Sequence, residues 1–178
     1  MHDATAFNLS LLLMRVSLGV VFLAHGINHV FRGGKIAGTG RWFASLGMKP
    51  GVVHAWLASL TEITSGALLL VGFLTPLAGA GVVGTMLVAW ITNHLKNGFF
   101  LSSAKEGYEY VLSIAVLSIA LGTLGPGKWS LDKAIFGYDS FIFDPKKALL
   151  VTAIVGIGGT AVFLGAFWRP PKKDQTAS

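Results

Sequence analysis

Five apolar runs, separated by short polar or glycine-rich stretches, dominate the pattern of hydrophobic and polar positions along the chain. A helix needs about 20 predominantly apolar residues to cross a bilayer, and the runs have lengths of this order. The pattern therefore predicts an all-α membrane protein, with a four-helix transmembrane bundle plus an additional C-terminal transmembrane helix. The predicted spans cover about residues 9–31, 52–73, 77–95, 108–124 and 148–168.

The composition supports this prediction and excludes some chemistry. The chain is 53% hydrophobic and only 12% charged, whereas a soluble domain carries about 25% charged residues. Its 23 glycines fall mostly inside the apolar runs, where small residues let helices approach closely. Cysteine is absent, so this chain can form no disulfide, hold no iron–sulfur cluster and perform no thiol chemistry.

The polar interruptions suggest how the chain is divided. In the first of them, residues 41–46 place one Trp and one Phe between basic flanks, which is typical of a segment at the membrane surface. Four segments are predicted: a bundle over 1–132, an outer loop over 133–147, a fifth transmembrane helix over 148–168 and a disordered basic tail over 169–178.

The distribution of Lys and Arg predicts the orientation. The loops after the first and third runs share one membrane face with the C-terminal tail, and together they hold nine basic residues against four on the other face. Cytoplasmic loops carry the excess of Lys and Arg, so we expect the N-terminus outside and the C-terminus inside a bacterial plasma membrane. The net charge of +6 therefore indicates the orientation of the chain in the membrane, and we expect no nucleic-acid partner. The nine residues are Arg32, Lys35, Arg41, Lys49, Lys96, Lys105, Arg169, Lys172 and Lys173.

Ionisable residues inside the apolar runs are the functional candidates, because charged groups in a bilayer are costly and normally face a bundle interior or a cavity. The spacing of Arg15, His25 and His29 places them on one face of the first helix, together with Phe22. At about 1.5 Å of rise per residue, four candidates fall in the cytoplasmic half of the membrane and one lies near its middle. The candidate ligand-binding residues are His25, His29, Glu62, His94 and Glu109.

Two of the buried or boundary residues also have structural interpretations. Glu62 is the acidic residue nearest in depth to Arg15, which suggests a structural ion pair between them. His54 lies at the entrance of the second span and is interpreted as an interfacial residue rather than as part of a site.

Several ligands would suit a His and Glu cluster beside apolar walls. A quinone headgroup requires hydrogen bonds and a proton path, which these side chains can supply. A metal ion or a b-type haem between His25 or His29 and His94 is the less favoured alternative. No nucleotide-binding fingerprint, P-loop or catalytic nucleophile motif is visible, so the sequence leaves open whether the chain is itself an enzyme.

The order and spacing of several short motifs resemble the DoxX/DoxD family of small bacterial membrane proteins. The resemblance implies four spans, with the fifth as an extension, and association with membrane redox chemistry, since named members look like subunits of thiosulfate:quinone oxidoreductase or partners of oxidase complexes. The motifs are Arg15, Gly19, Phe22, His25 and Gly26; Glu62 and Gly66; Thr75 and Pro76; His94, Gly98 and Phe99; Tyr108 and Glu109; and Gly125, Pro126, Gly127, Ser130, Leu131 and Asp132.

Three functions remain open from the sequence. The first is a quinone-linked redox subunit, in which His25, His94 and Glu109 hold the headgroup and Glu62 relays protons. The second is a non-catalytic accessory subunit of a larger respiratory or transport complex, bound to other membrane subunits through the close-packing face of Gly156 and Thr160. The third is binding of a small hydrophobic or lipid-like molecule.

Overall fold

The computed structural model describes residues 4–102 and 106–171, and within them the chain is helical with no strand. Lys105, Lys172 and Lys173, which entered the orientation prediction, lie outside the described residues, as does most of the predicted tail. The helices are α1 (Ala4–Phe31), α2 (Lys35–Ser45), α3 (Gly51–Val71), α4 (Thr75–Asn97), α5 (Glu109–Leu124), α6 (Leu131–Phe136) and α7 (Pro145–Phe167).

Four of these helices, α1, α3, α4 and α7, are long and apolar enough to cross a membrane, and α5 is a shorter apolar helix of 16 residues. The predicted all-α membrane architecture is confirmed. Helix α1 begins at Ala4, earlier than predicted. The polar side chains of Asn8 and Ser10 fit within the helix because each donates a hydrogen bond to a backbone carbonyl one turn back. Helix α4 continues to Asn97 through a π-helical turn at Trp90–His94.

Helices α1 and α3 pack in close contact through glycines. A Cβ atom added to Gly66 would lie 2.6 Å from the Leu23 nitrogen, and one added to Gly26 would lie 2.8 Å from the Ser59 carbonyl oxygen. Neither gap can hold a side chain, so the backbones approach as closely as small residues allow. This contact fixes the register between the two helices that carry His29 and Glu62.

Helix α7 is part of the bundle and packs against α4. A Cβ atom on Gly156 would lie 2.8 Å from the Val83 Cβ atom, and the Thr160 hydroxyl donates hydrogen bonds to the carbonyls of Gly156 and Gly84 at 2.7 and 3.4 Å. The prediction that the Gly156 and Thr160 face binds another subunit is therefore wrong: small residues at this face serve a contact within the chain, and the accessory-subunit hypothesis loses that support.

The end of α7 returns to the segment between α2 and α3. The Trp168 indole nitrogen donates to the Leu46 carbonyl at 2.9 Å, and the Arg169 amide donates to the Gly47 carbonyl at 3.0 Å. We call this end of the bundle, where α1 and α4 finish and α3 begins, the histidine end. The opposite end, which contains the turn of residues 72–74 between α3 and α4, is the turn end.

Two apolar cores stabilise the bundle by burying hydrocarbon surface. One core joins α1, α3, α4 and α5 toward the turn end, and the other joins α2, α3 and α7 at the histidine end. Their buried members are Leu11, Phe22, Leu69, Ala78, Val82 and Leu121 in the first core, and Phe43, Met48, Ala55 and Leu164 in the second.

Candidate functional site

A cavity of about 750 Å³ lies toward the histidine end, lined by residues of α1, α2, α3, α4, α5 and α7 and of the segment between α2 and α3. Small-molecule sites in proteins commonly have volumes of about 300–1,000 Å³, with apolar walls and a few polar groups. This cavity has that character, because most of its lining is apolar. Its ionisable and phenolic lining residues are His25, His29, His54, Glu62, His94 and Tyr110.

One pair of ionisable groups in the cavity joins α1 to α3. The Nδ1 atom of His29 lies 3.1 Å from the Oε2 atom of Glu62, which is only 6% exposed. Neither atom makes a well-directed hydrogen bond with any part of the chain that the structure describes. A buried carboxylate without full hydrogen bonding is costly, so this pair is suited to hold a polar group that enters the cavity.

A second polar pair joins α4 to α5. The Nδ1 atom of His94 lies 2.9 Å from the Glu106 carbonyl oxygen, and its Nε2 atom lies 2.8 Å from the Tyr110 hydroxyl. Because a carbonyl can only accept, we assign the imidazole proton to Nδ1, and Nε2 then accepts the hydrogen bond that Tyr110 donates. His94 ends the π-helical turn of α4, a feature that is frequent at functional sites.

His54 is a cavity residue, so its interpretation as an interfacial residue is wrong. It is only 2% exposed, because α2 and the end of α7 cover the start of α3. Its ring meets Phe163 and Phe167 of α7 edge to face, with centroid distances of 5.5 and 5.6 Å. Its spacing from Glu62 fits the i, i+8 positions of one helix face, which is the sequence signal that could have found it.

Glu109 does not line the cavity, so the structure does not bring it together with the other candidate residues. Its Oε1 atom accepts a hydrogen bond from the Leu101 amide at 2.8 Å, so the side chain secures the loop before α5. The next residue, Tyr110, faces the cavity instead. A difference of one position at the start of a helix turns the side chain by about 100°, and the loop hydrogen bonds decide which residue faces inward.

His25 lies at the edge of the predicted face of α1. The buried residues of this helix are Leu11, Arg15, Gly19, Phe22 and Gly26, whereas His25 lines the cavity with an exposed side chain. Its ring centroid is 6.5 Å from that of His29. His25 therefore belongs to the rim of the cavity.

Arg15 forms no ion pair with Glu62, and that prediction is wrong. Arg15 is 1% exposed. Its guanidinium donates from Nη1 to the Leu69 and Leu70 carbonyls at 3.0 and 3.4 Å, and from Nη2 to the Trp129 carbonyl at 2.6 Å. The side chain thus reaches the turn end, where the last carbonyls of α3 have no partner within the helix and attract a cation.

Asp132 completes a buried polar cluster with Arg15 at the turn end. Its carboxylate accepts hydrogen bonds from the amides of Leu74 and Thr75 at 2.7 and 3.0 Å and from the Thr75 hydroxyl at 2.8 Å. Its own amide donates to the Gly72 carbonyl at 2.9 Å, and the carboxylate attracts the Arg15 charge. We call Arg15, Gly72, Thr75 and Asp132 the turn-end cluster, which ties the first turn of α6 to the turn between α3 and α4.

The sequence of this chain is similar to those of known membrane proteins. The model of the DoxX family matches residues 10–95. A protein of Mycobacterium tuberculosis (strain ATCC 25618 / H37Rv), described as "Uncharacterized membrane protein Rv3486", is 32% identical over 136 residues, which are 71% of this chain and 81% of that protein. The chain belongs to the DoxX family. The predicted family resemblance is thereby confirmed.

A second relative of this DoxX-family chain carries a functional description. It is "Putative oxidoreductase CatD" of Bacillus subtilis (strain 168), 29% identical over 142 residues, which are 80% of this chain and 93% of that protein. No solved structure matches the chain.

The DoxX match contains most of the cavity but not all of it. His29, His54, Glu62 and His94 lie inside residues 10–95, whereas Tyr110 and all of α7 lie beyond them. Over residues 4–102 and 106–171, no three His, Asp or Glu side chains are arranged to hold a metal ion. The metal alternative thus has no preformed site in this part of the chain.

Proposed function

We propose that this DoxX-family protein is a quinone-linked redox subunit of the membrane, and that its cavity binds the quinone headgroup. The observation that carries the proposal is the His29–Glu62 pair, which faces a largely apolar cavity of about 750 Å³ and whose facing Nδ1 and Oε2 atoms have no other hydrogen-bond partner in the described chain. A quinone matches these features, because its ring is apolar while its oxygens accept hydrogen bonds. The description of the relative CatD as an oxidoreductase gives further support.

The chemistry would divide between this chain and a partner. Reduction of a quinone to a quinol takes up two electrons and two protons. His29 and Glu62 can hold and transfer protons at the quinone oxygen, since imidazole and carboxyl groups both serve as proton donors and acceptors. The electrons would come from a redox centre on another membrane subunit, and any sulfur chemistry of such a complex would also occur there, because this chain has no cysteine.

The first test is the content of quinone in protein purified in mild detergent. Solvent extraction and mass spectrometry should find quinone in the wild type, and about tenfold less in Glu62→Gln and His29→Leu. Glu109→Gln is the matched control, because that carboxylate lies outside the cavity and its loss should leave the quinone content unchanged. Absence of quinone from the wild type, or equal retention in all variants, contradicts the proposal; a Soret band in the visible spectrum would indicate haem instead.

We also propose that the histidine end faces the cytoplasm of a bacterial cell, with the N-terminus outside. The excess of Lys and Arg in the loops at that end supports this orientation. The chain has no cysteine, so single cysteines can report topology without background. Lys128→Cys at the turn end should react with an impermeant maleimide in intact cells, and Lys96→Cys at the histidine end only after lysis. The reverse pattern would require the opposite orientation.

A further inference from the structure

His54 is a buried polar side chain that the proposed quinone contact at His29 and Glu62 does not use. It lines the cavity, it is 2% exposed, and neither of its ring nitrogens has a hydrogen-bond partner among residues 4–102 and 106–171. A neutral imidazole carries one donor and one acceptor. Leaving both unpaired in an apolar interior is costly, so an occupant of the cavity is expected to supply the partner.

The position of His54 relative to Glu62 defines the length of this occupant. The two residues are eight positions apart on α3, which corresponds to about 12 Å along the helix axis. Side chains on a helix lean toward its N-terminus, so both side chains shift in the same direction and their separation along the axis stays at about 12 Å. The span accommodates one six-membered ring with an oxygen at each end, with a hydrogen bond of about 2.8 Å on either side.

We propose that His54 and the His29–Glu62 pair are two opposed hydrogen-bonding positions for a single ligand with polar groups at both ends. This inference rests on the proposed function and narrows its ligand to para-quinones and their quinols. A ligand with a single polar head would leave one of the two positions unpaired. His54 suits both redox forms, because its N–H can donate to a quinone carbonyl and its other nitrogen can accept from a quinol hydroxyl.

Helix α7 positions the His54 ring. Phe163 and Phe167 meet the imidazole edge to face, which restricts its rotation and directs its nitrogens. Phe163 also lines the cavity. Helix α7, the predicted fifth transmembrane helix, lies beyond the residues matched by the family model. It therefore contributes to the choice of ligand.

The test compares two bicyclic ligands of similar size: 1,4-naphthoquinone has two opposed carbonyls, whereas 1-tetralone has one carbonyl and three saturated ring carbons. Each is titrated calorimetrically into the full chain in lipid nanodiscs, with empty nanodiscs subtracted. His54→Phe and Glu62→Gln should each lower the affinity for 1,4-naphthoquinone by about tenfold, the effect of a lost buried hydrogen bond. For 1-tetralone, which can occupy only one position, only one of the two substitutions should lower the affinity.

His54→Gln separates hydrogen bonding from packing, because glutamine keeps a donor and an acceptor. We expect it to restore affinity for 1,4-naphthoquinone to within about threefold of the wild type, and His54→Met replaces His54→Phe if the latter does not fold. If the His54 variants bind 1,4-naphthoquinone like the wild type while Glu62→Gln does not, the inference is overturned and the proposed function stands. Equal losses of affinity for both ligands in His54→Phe and His54→Gln would also overturn the inference. Failure of the wild type to bind 1,4-naphthoquinone would overturn both the inference and the proposed function.

Discussion

The turn end and the histidine end of the bundle both bury ionisable groups, but the hydrogen bonding of these groups differs between the two ends. At the turn end, Asp132 accepts three hydrogen bonds and Arg15 donates three, and of the side-chain atoms of these two residues only the Nε atom of Arg15 is buried without a partner among the described residues. At the histidine end, the facing atoms of His29 and Glu62 and both nitrogens of His54 have no well-directed hydrogen bond within that same part of the chain.

The packing around these polar groups also differs, being close at the turn end and open at the histidine end. The turn-end cluster is packed against backbone: a Cβ atom on Gly72 would lie 2.4 Å from the Arg15 Nη1 atom. The histidine end surrounds its polar groups with a cavity of about 750 Å³. Satisfied and closely packed polar groups stabilise one conformation, whereas unsatisfied groups beside a cavity are suited to a ligand. The same residue types thus serve structure at one end and, in our proposal, binding at the other.

The largest effect is expected from Asp132→Ala. The substitution leaves two buried amides and a hydroxyl without an acceptor and removes the negative charge near Arg15, so the free energy of unfolding should fall by about 3 kcal/mol or more. Thermal unfolding in detergent measures the change. Asp139→Ala, at an exposed aspartate, should have little effect, and a similar loss in both variants would remove the special role of the turn-end cluster.

The second effect concerns the glycine in the turn between α3 and α4. Gly72→Ala adds a methyl group at a positive φ of 65° and against Arg15, so we expect a loss of about 2–3 kcal/mol in unfolding free energy. Gly33→Ala is the control, because Gly33 also has a positive φ, 52°, but has open space around it. It should cost only about 1 kcal/mol. Equal losses would show that contact with Arg15 contributes nothing.

A smaller change in stability is expected when the polar pair of the histidine end is replaced. The double variant His29→Leu/Glu62→Met exchanges buried polar groups for apolar ones of similar size, so the unfolding free energy should stay within about 1 kcal/mol of the wild type and can rise. Quinone content should nevertheless fall. A destabilisation comparable to that of Asp132→Ala would mean that this pair is structural.

The smallest effect is expected at Asp144, which precedes α7. Its carboxylate accepts hydrogen bonds from the Lys147 and Lys146 amides, and these bonds hold the pKa of Asp144 below its ordinary value. A lowered pKa adds stability above the unfolded-state value of 3.8, and that stability is lost as the pH falls through the folded-state value. The unfolding temperature of the wild type should exceed that of Asp144→Asn slightly at pH 7, and the two should converge below about pH 4. A constant difference over this range would contradict the assignment.

The sequence predicted the membrane helices well, because the length and hydropathy of each run carry that information locally. It also predicted that His25, His29, Glu62 and His94 would come together, and these residues do line one cavity. The depth of each residue in the membrane, counted from the ends of the apolar runs, was sufficient to predict that these residues lie near one another.

The partners of Arg15, His54 and Glu109 could not be predicted, for reasons that lie in tertiary structure. Arg15 binds backbone carbonyls and approaches an aspartate more than a hundred residues away, and no local pattern specifies such partners. His54 is buried because α7 folds back over it. Glu109 is turned toward the loop by its bond to the Leu101 amide, which depends on the path of that loop.

The most direct test of the difference between the two ends is the increase in unfolding temperature that 1,4-naphthoquinone produces in three proteins. Ligand binding to the folded state raises stability according to concentration and affinity. At one fixed ligand concentration we expect a clear increase for the wild type, a clearly smaller increase for Glu62→Gln, and an increase of wild-type size for Asp132→Asn from a lower starting temperature. An increase of wild-type size in Glu62→Gln, or a diminished increase in folded Asp132→Asn, would contradict the assignment of binding to the histidine end.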